Sequence, residues 1–164
     1  MMAKRISKYG LLACLCLIFG YIESFVPLAA GVPGIKLGLA NSVALILIAR
    51  GDIKGAFAVN ITRILLSAFL FGSPFSLIFS LSGALGSMAV MVLLFKLKKF
   101  SVIGLSAAGG ALHNIFQLLA ALFIIGKEVL YYLPLLIVAG GISGTITGWV
   151  AFLILKKMKT IGKE

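Results

Sequence analysis

The chain has 164 residues, of which 62% are hydrophobic and 12% charged, where a soluble domain carries about a quarter charged residues. At about 20 residues per membrane span plus turns, this length holds six helices as one transmembrane domain, 1–164, with no room for a separate catalytic domain. The formal net charge of +11 does not point to nucleic acid: most of the positive charges sit at the ends of apolar runs, with no basic face or aromatic platform, which is an orientation signal.

The first run begins like a signal peptide, with Lys4, Arg5 and Lys8 before apolar residues. Only five residues separate Lys8 from Cys14, too few for a signal core, and the apolar run continues past it. The reading is an uncleaved first helix over 9–28. Cys14 and Cys16 lie two apart, so on a helix they point to different faces and form neither a disulfide nor a metal site.

Further apolar runs at 36–50, 55–71, 75–95, 101–125 and 130–155 complete six spans, an all-α integral membrane protein. The second is about 22 Å long at 1.5 Å per residue, so it must be buried among its neighbours or thin the bilayer locally. With the N-terminus placed in the cytoplasm, twelve of the fifteen Lys and Arg fall on inside segments. Outside segments carry only Lys36 and Lys127, and Arg63 lies within a span. Both termini are therefore expected inside.

The connections differ. Gly51-Asp52 makes a tight inside turn, and Gly72-Ser73-Pro74 and Gly126-Lys127-Glu128 tight outside turns. Only 29–35 is elaborate, with Gly31, Pro33 and Gly34 giving it a defined path. Small residues recur at helical spacing: Gly140, Gly144 and Gly148; Ser76, Ser80 and Ala84; Gly104 and Ala108. Such stripes let helices approach closely in lipid, either within the chain or toward a partner protein.

Polar groups inside spans are costly, about 2.5–3.5 kcal/mol for a central Arg on insertion scales, and they need partners. The candidate ligand-binding residues are Glu23, Lys36, Asn41, Asn60, Arg63, His113, Asn114 and Gln117, with Ser24 beside them. Their depths agree. Glu23 and Asn41 fall in the outer parts of helices one and two, Arg63 is nine residues from both Lys54 and Gly72, and His113 is near mid-span. Asn60 and Arg63 (i, i+3) share a face, as do His113 and Gln117 (i, i+4). This describes a cup opening outward beneath the 29–35 loop. Lys36 and Arg63 would meet an anionic group, Glu23 would orient them or accept a donor, and the amides and His113 would hydrogen-bond. The duller alternatives are a structural Glu23–Arg63 ion pair, a snorkelling Lys36, and packing roles for His113 and the asparagines.

Catalysis finds little support. The four acids, Glu23, Asp52, Glu128 and Glu164, are nowhere closer than 29 residues, so no carboxylate cluster for a metal-bound diphosphate is expected. No P-loop or dinucleotide fingerprint is present. The reading is a non-enzyme with no catalytic residues, no resident metal and no cofactor.

The stretches IESFVP at 22–27, PGIKLGLAN at 33–41, NITR at 60–63, LFG at 70–72, ALHNIFQ at 111–117, YYLP at 131–134 and GGISGTITG at 140–148 resemble the Gx transporter family, also labelled heptaprenyl diphosphate synthase component I. That family is similar to the substrate-binding S components of energy-coupling factor (ECF) transporters. The resemblance implies a six-helix bundle in the prokaryotic cell membrane, both ends cytoplasmic, with an outward-facing site under the helix 1–2 loop. It also implies partners: a small-molecule ligand, a transmembrane coupling protein and ATPases. An S component commonly carries Ala-x-x-x-Ala in helix one; here Gly10-x-x-x-Cys14 and Cys16-x-x-x-Gly20 stand in its place. The expected function is uptake of a small polar or amphiphilic solute. The alternatives are a non-catalytic membrane subunit of quinone or prenyl metabolism, or of flavin- or quinone-linked trans-membrane electron transfer, and a ligand-free membrane scaffold.

Overall fold

A computed structural model describes residues 2–24 and 38–161, with side chains over 3–23 and 38–158. The described residues form six α-helices: α1 Met2–Ser24, α2 Leu39–Ala49, α3 Ile53–Phe71, α4 Pro74–Lys96, α5 Val102–Ile125 and α6 Leu133–Ile161. Among the described residues there is no strand. The connections after α2, α3 and α4 are a few residues long, which makes those neighbours antiparallel.

Local chemistry sets the helix ends. Asp52, Ser73 and Ser101 each accept the backbone N–H three residues on, at 3.0, 3.2 and 3.1 Å, and so cap α3, α4 and α5. Pro74 takes the first turn of α4, where no N–H is required. Gly126, at φ 117°, ends α5 in a conformation that favours glycine.

Several boundaries differ from the sequence reading, and α6 runs past 155 to Ile161. Lys4, Arg5 and Lys8 lie on α1 itself, because nothing N-terminal to Tyr9 breaks the helix. The turn at 126–128 runs on as a 3-10 segment, Lys127–Tyr132, before α6 begins at Leu133. Pro134 then falls in the first turn of α6, the place where a helix tolerates it.

Five helical segments are long and apolar enough to cross a membrane; α2, at 11 residues, is the short exception. It is also the central one. It touches all five other helices, and none of its residues is exposed. Burial among neighbours therefore answers the problem its length posed. The outer surface is the reverse of a soluble protein's: Phe69, Phe123 and Tyr131 are each 88% exposed. Large apolar side chains facing outward around fully hydrogen-bonded helices are the pattern lipid requires, and the chain is a multi-pass membrane protein.

The largest helix interface joins α5 and α6, and glycines make it. A Cβ on Gly110 would collide with the Gly140 carbonyl oxygen, one on Gly140 with the Gly110 carbonyl oxygen, and one on Gly144 with the Ser106 carbonyl oxygen. The Gly140–Gly144–Gly148 stripe is thus an intramolecular packing surface. Its partner is Ser106 to Gly110. The expected Gly104–Ala108 stripe is not the contact, since a Cβ on Gly104 would meet only Ser101 Oγ, at 3.5 Å. On α4 the close approach is likewise made by Gly83 and Gly86, against His113 and Phe116 of α5, while Ser76 and Ser80 line a cavity.

At the opposite end from that cavity, Tyr9 of α1 donates to Asp52 Oδ2 at 2.8 Å, with Lys8 Nζ 3.9 Å away. The Tyr9 hydroxyl holds the Asp52 carboxyl below the usual carboxylate range against the opposing cost of burial, with further help from the Gly55 N–H, Lys8 and Arg5. A carboxyl whose folded pKa is depressed stabilises the fold above its unfolded pKa of about 3.9 and loses that contribution as pH falls through the folded value. Asp52→Ala should therefore cost about 1 kcal/mol at neutral pH, mostly the lost cap. Thermal midpoints of wild type and variant in detergent should converge in strong acid; a constant gap from pH 7 to pH 2 would contradict this role.

Candidate functional site

A cavity of about 490 Å³ lies between the helices, and all six contribute to its wall: Glu23 from α1, Asn41 from α2, Arg63 from α3, Ser76 and Ser80 from α4, His113 and Gln117 from α5, Ser143 from α6. The volume is in the range of small-molecule sites. A second pocket of about 40 Å³, room for one to a few waters, lies against it, sharing Gly38, Asn41, Gly110, His113 and Ser143 and adding Asn60, Ser87, Ser106 and Thr147.

The sequence-selected residues fall as follows. Glu23, Asn41, Arg63, His113, Asn114 and Gln117 line the larger cavity, and Asn60 lines the smaller one. Lys36, the Ser24 side chain and the 29–35 loop lie outside the described residues. The i, i+3 pairing on α3 holds: Asn60 Oδ1 accepts from Arg63 Nε at 3.2 Å and Nη2 at 2.9 Å. Asn60 is buried, and its Nδ2 donates to Met88 Sδ at 2.9 Å. Met88 thus fixes the amide that aims the guanidinium through Oδ1. Asn41 Oδ1 accepts a longer bond from Arg63 Nη2, at 3.4 Å.

Arg63 is half-buried and is held by neutral amides. The Glu23 charge reaches it as an attraction through space. Two of the five guanidinium protons, those on Nη1, have no partner among the described residues. The sequence reading has Glu23 orient Lys36 and Arg63 or accept a donor; among the described residues the hydrogen bonds that Arg63 donates go to Asn60 and Asn41.

Glu23 has a different function in the fold. It is buried, 6% exposed, and Oε1 accepts the Leu39 N–H at the start of α2. The residue in the cap position, Gly38, adopts φ 77° and has no side chain to offer. A carboxylate from another helix therefore satisfies an orphan donor and complements the positive end of the α2 dipole. Glu23→Ala should cost about 1–2 kcal/mol of thermal stability in detergent and Glu23→Gln clearly less, since the amide oxygen still accepts. Equal losses would mean that the charge alone matters.

Asn114 is also partly structural. Buried at 8% exposure, it donates to the Leu136 carbonyl at 2.7 Å, tying α5 to α6. His113 stands at the junction of the two pockets and packs on Gly83. Gln117 is half-buried, and its amide has no partner among the described residues, which leaves it to the cavity. Sequence reasoning missed the α4 and α6 serines. The Ser76–Ser80 spacing was visible but read as packing, and Ser143 lay inside a glycine stripe.

The charged and hydrogen-bonding groups of this site can hold an anionic or amide-bearing molecule. Among the described residues no group of three or more His, Cys, Asp or Glu side chains could hold a metal ion. Asp52 caps α3, and Glu128 is exposed on the 3-10 turn, so neither acid reaches the cavity.

No curated protein and no solved structure matches the chain. A family model described as heptaprenyl diphosphate synthase component I matches residues 12–154, a stretch that takes in every residue named in the cavity wall. The chain belongs to the heptaprenyl diphosphate synthase component I family.

Proposed function

We propose that the protein is a membrane-embedded solute-binding subunit for uptake of a small polar or amphiphilic solute, similar to the S components of ECF transporters. The observation that supports this reading is the 490 Å³ cavity, with a half-buried Arg63 and an uncommitted Gln117 turned into it. In this reading both termini are cytoplasmic, as the Lys and Arg distribution favours, and the cavity opens to the other side of a prokaryotic cell membrane. Asn60 and Asn41 aim Arg63, while Arg63, Gln117 and His113 meet the solute. Energy comes from ATPases and a transmembrane coupling protein, since this chain has no nucleotide-binding motif. The chain itself performs no chemistry on the solute.

The family description supports a second reading, a non-catalytic membrane subunit working beside a prenyl diphosphate synthase or in quinone metabolism. Solvent extraction of the gently purified protein followed by mass spectrometry separates the two. The transport reading expects a small water-soluble or amphiphilic molecule; the second expects a prenylated lipid or a quinone. A flavin- or quinone-linked electron-transfer role would add a visible absorption band to the purified protein.

A further inference from the structure

The cavity wall is divided, and the division assigns the chemical class of the solute. On α5, one face carries Asn114 and Gln117 and then, at the same helical spacing, Leu118, Ala121 and Ile125. Val129 and Leu136 continue the apolar part of the lining. From Leu118 to Ile125 the helix rises about 10 Å. Arg63 is the only cation among the described lining residues, and Glu23, the only anion, already caps α2.

Accepting the solute-binding reading, we infer that the solute is an amphiphilic organic anion: an oxygen-acid group at Arg63 and Gln117, and an apolar body about 10 Å long lying along α5 toward the 3-10 turn. The two Nη1 protons and the Gln117 amide supply donors to an anionic oxygen. A guanidinium held by neutral amides inside a membrane protein is a charge without full compensation, and a bound anion completes it. Along Leu118, Ala121 and Ile125 a charged group would find no counter-charge, and the rest of the lining away from Arg63 offers it only the neutral hydroxyls of Ser76, Ser80 and Tyr132, so the charged end goes to Arg63 and the body points along α5.

The test is equilibrium binding of three probes to the full chain in nanodiscs of phosphatidylcholine. Biphenylcarboxylate carries both features, biphenylcarboxamide lacks the charge, and benzoate lacks half of the body. Biphenylcarboxylate is expected to bind at least about tenfold more tightly than either. Arg63→Gln should abolish the preference for carboxylate over carboxamide. Ala121→Phe, which fills the apolar arm and leaves Arg63 in place, should weaken the biphenyl probe more than benzoate. An anionic membrane lipid carries the same chemistry, so a parallel set of discs contains phosphatidylglycerol. Loss of probe binding there names the bilayer as the source of the amphiphile, and unchanged binding names the aqueous phase; both keep the assignment.

Carboxamide binding as tightly as carboxylate, or benzoate as tightly as biphenylcarboxylate, overturns it. Absence of saturable binding by all three overturns it too. In that case a hydrophilic molecule extracted from the same preparation would leave the uptake reading standing without it.

Discussion

Arg63→Ala is expected to lower solute affinity by about ten- to a hundredfold while the protein still inserts and purifies as a single species. Hydrogen bonds to a charged group contribute about 1.5–3 kcal/mol each, and each 1.4 kcal/mol is tenfold in affinity. Insertion does not depend on the guanidinium, since a central Arg opposes it. The acceptors left behind, Asn60 Oδ1 and Asn41 Oδ1, adjoin polar space where water can replace the lost donors. Asn60→Leu should act in the same direction and more weakly, because it removes the group that aims Arg63 but leaves the charge. Unchanged affinity in Arg63→Ala, measured on protein of unaltered elution volume, would remove Arg63 from the site.

Gly110→Val is expected to cost about 3 kcal/mol or more, at the upper end of overpacking effects. Its Cβ would run into the Gly140 carbonyl oxygen. Backbone cannot rotate aside as a side chain can, so α5 and α6 must part. The Asn114–Leu136 bond spans the same interface and would be strained with it. Gly141→Val is the control: it sits on α6 beside Gly140, a Cβ there meets nothing within 4 Å, and the change should stay within about 0.5 kcal/mol. Thermal unfolding followed by size-exclusion fluorescence reads both. Because His113, Asn114 and Gln117 all ride on α5, Gly110→Val should also abolish solute binding. Equal stability of the two variants would contradict the glycine contact.

The class of protein and the convergence of its polar side chains were legible because both rest on cost. Apolar runs of this length have few other places to go, and Arg63, Asn60 and His113 inside them must find partners. The Asn60–Arg63 pair followed from spacing alone. The short α2 had two ways out, burial among its neighbours or a thinned bilayer, and the structure buries it.

What could not be read was rotation. A helix apolar on every side does not announce which face meets its neighbour, so the packing stripe was placed at Gly104–Ala108 when it is Ser106–Gly110, and Ser76 and Ser80 were given to packing when they line the cavity. The apolar arm beside Leu118, Ala121 and Ile125 was invisible for the same reason. Glu23 capping α2 was out of reach, since it joins an acid on one helix to the backbone of another 16 residues away, and no local pattern marks it.

If side chains from all six helices enclose one site that holds a solute, that solute should travel with the protein through gentle purification. Native mass spectrometry of the gently purified wild-type chain beside Arg63→Ala tests it most directly. A one-to-one small-molecule adduct is expected on the wild type and is lost or strongly reduced in the variant. A bare mass for both proteins, or an adduct retained equally by both, would contradict it.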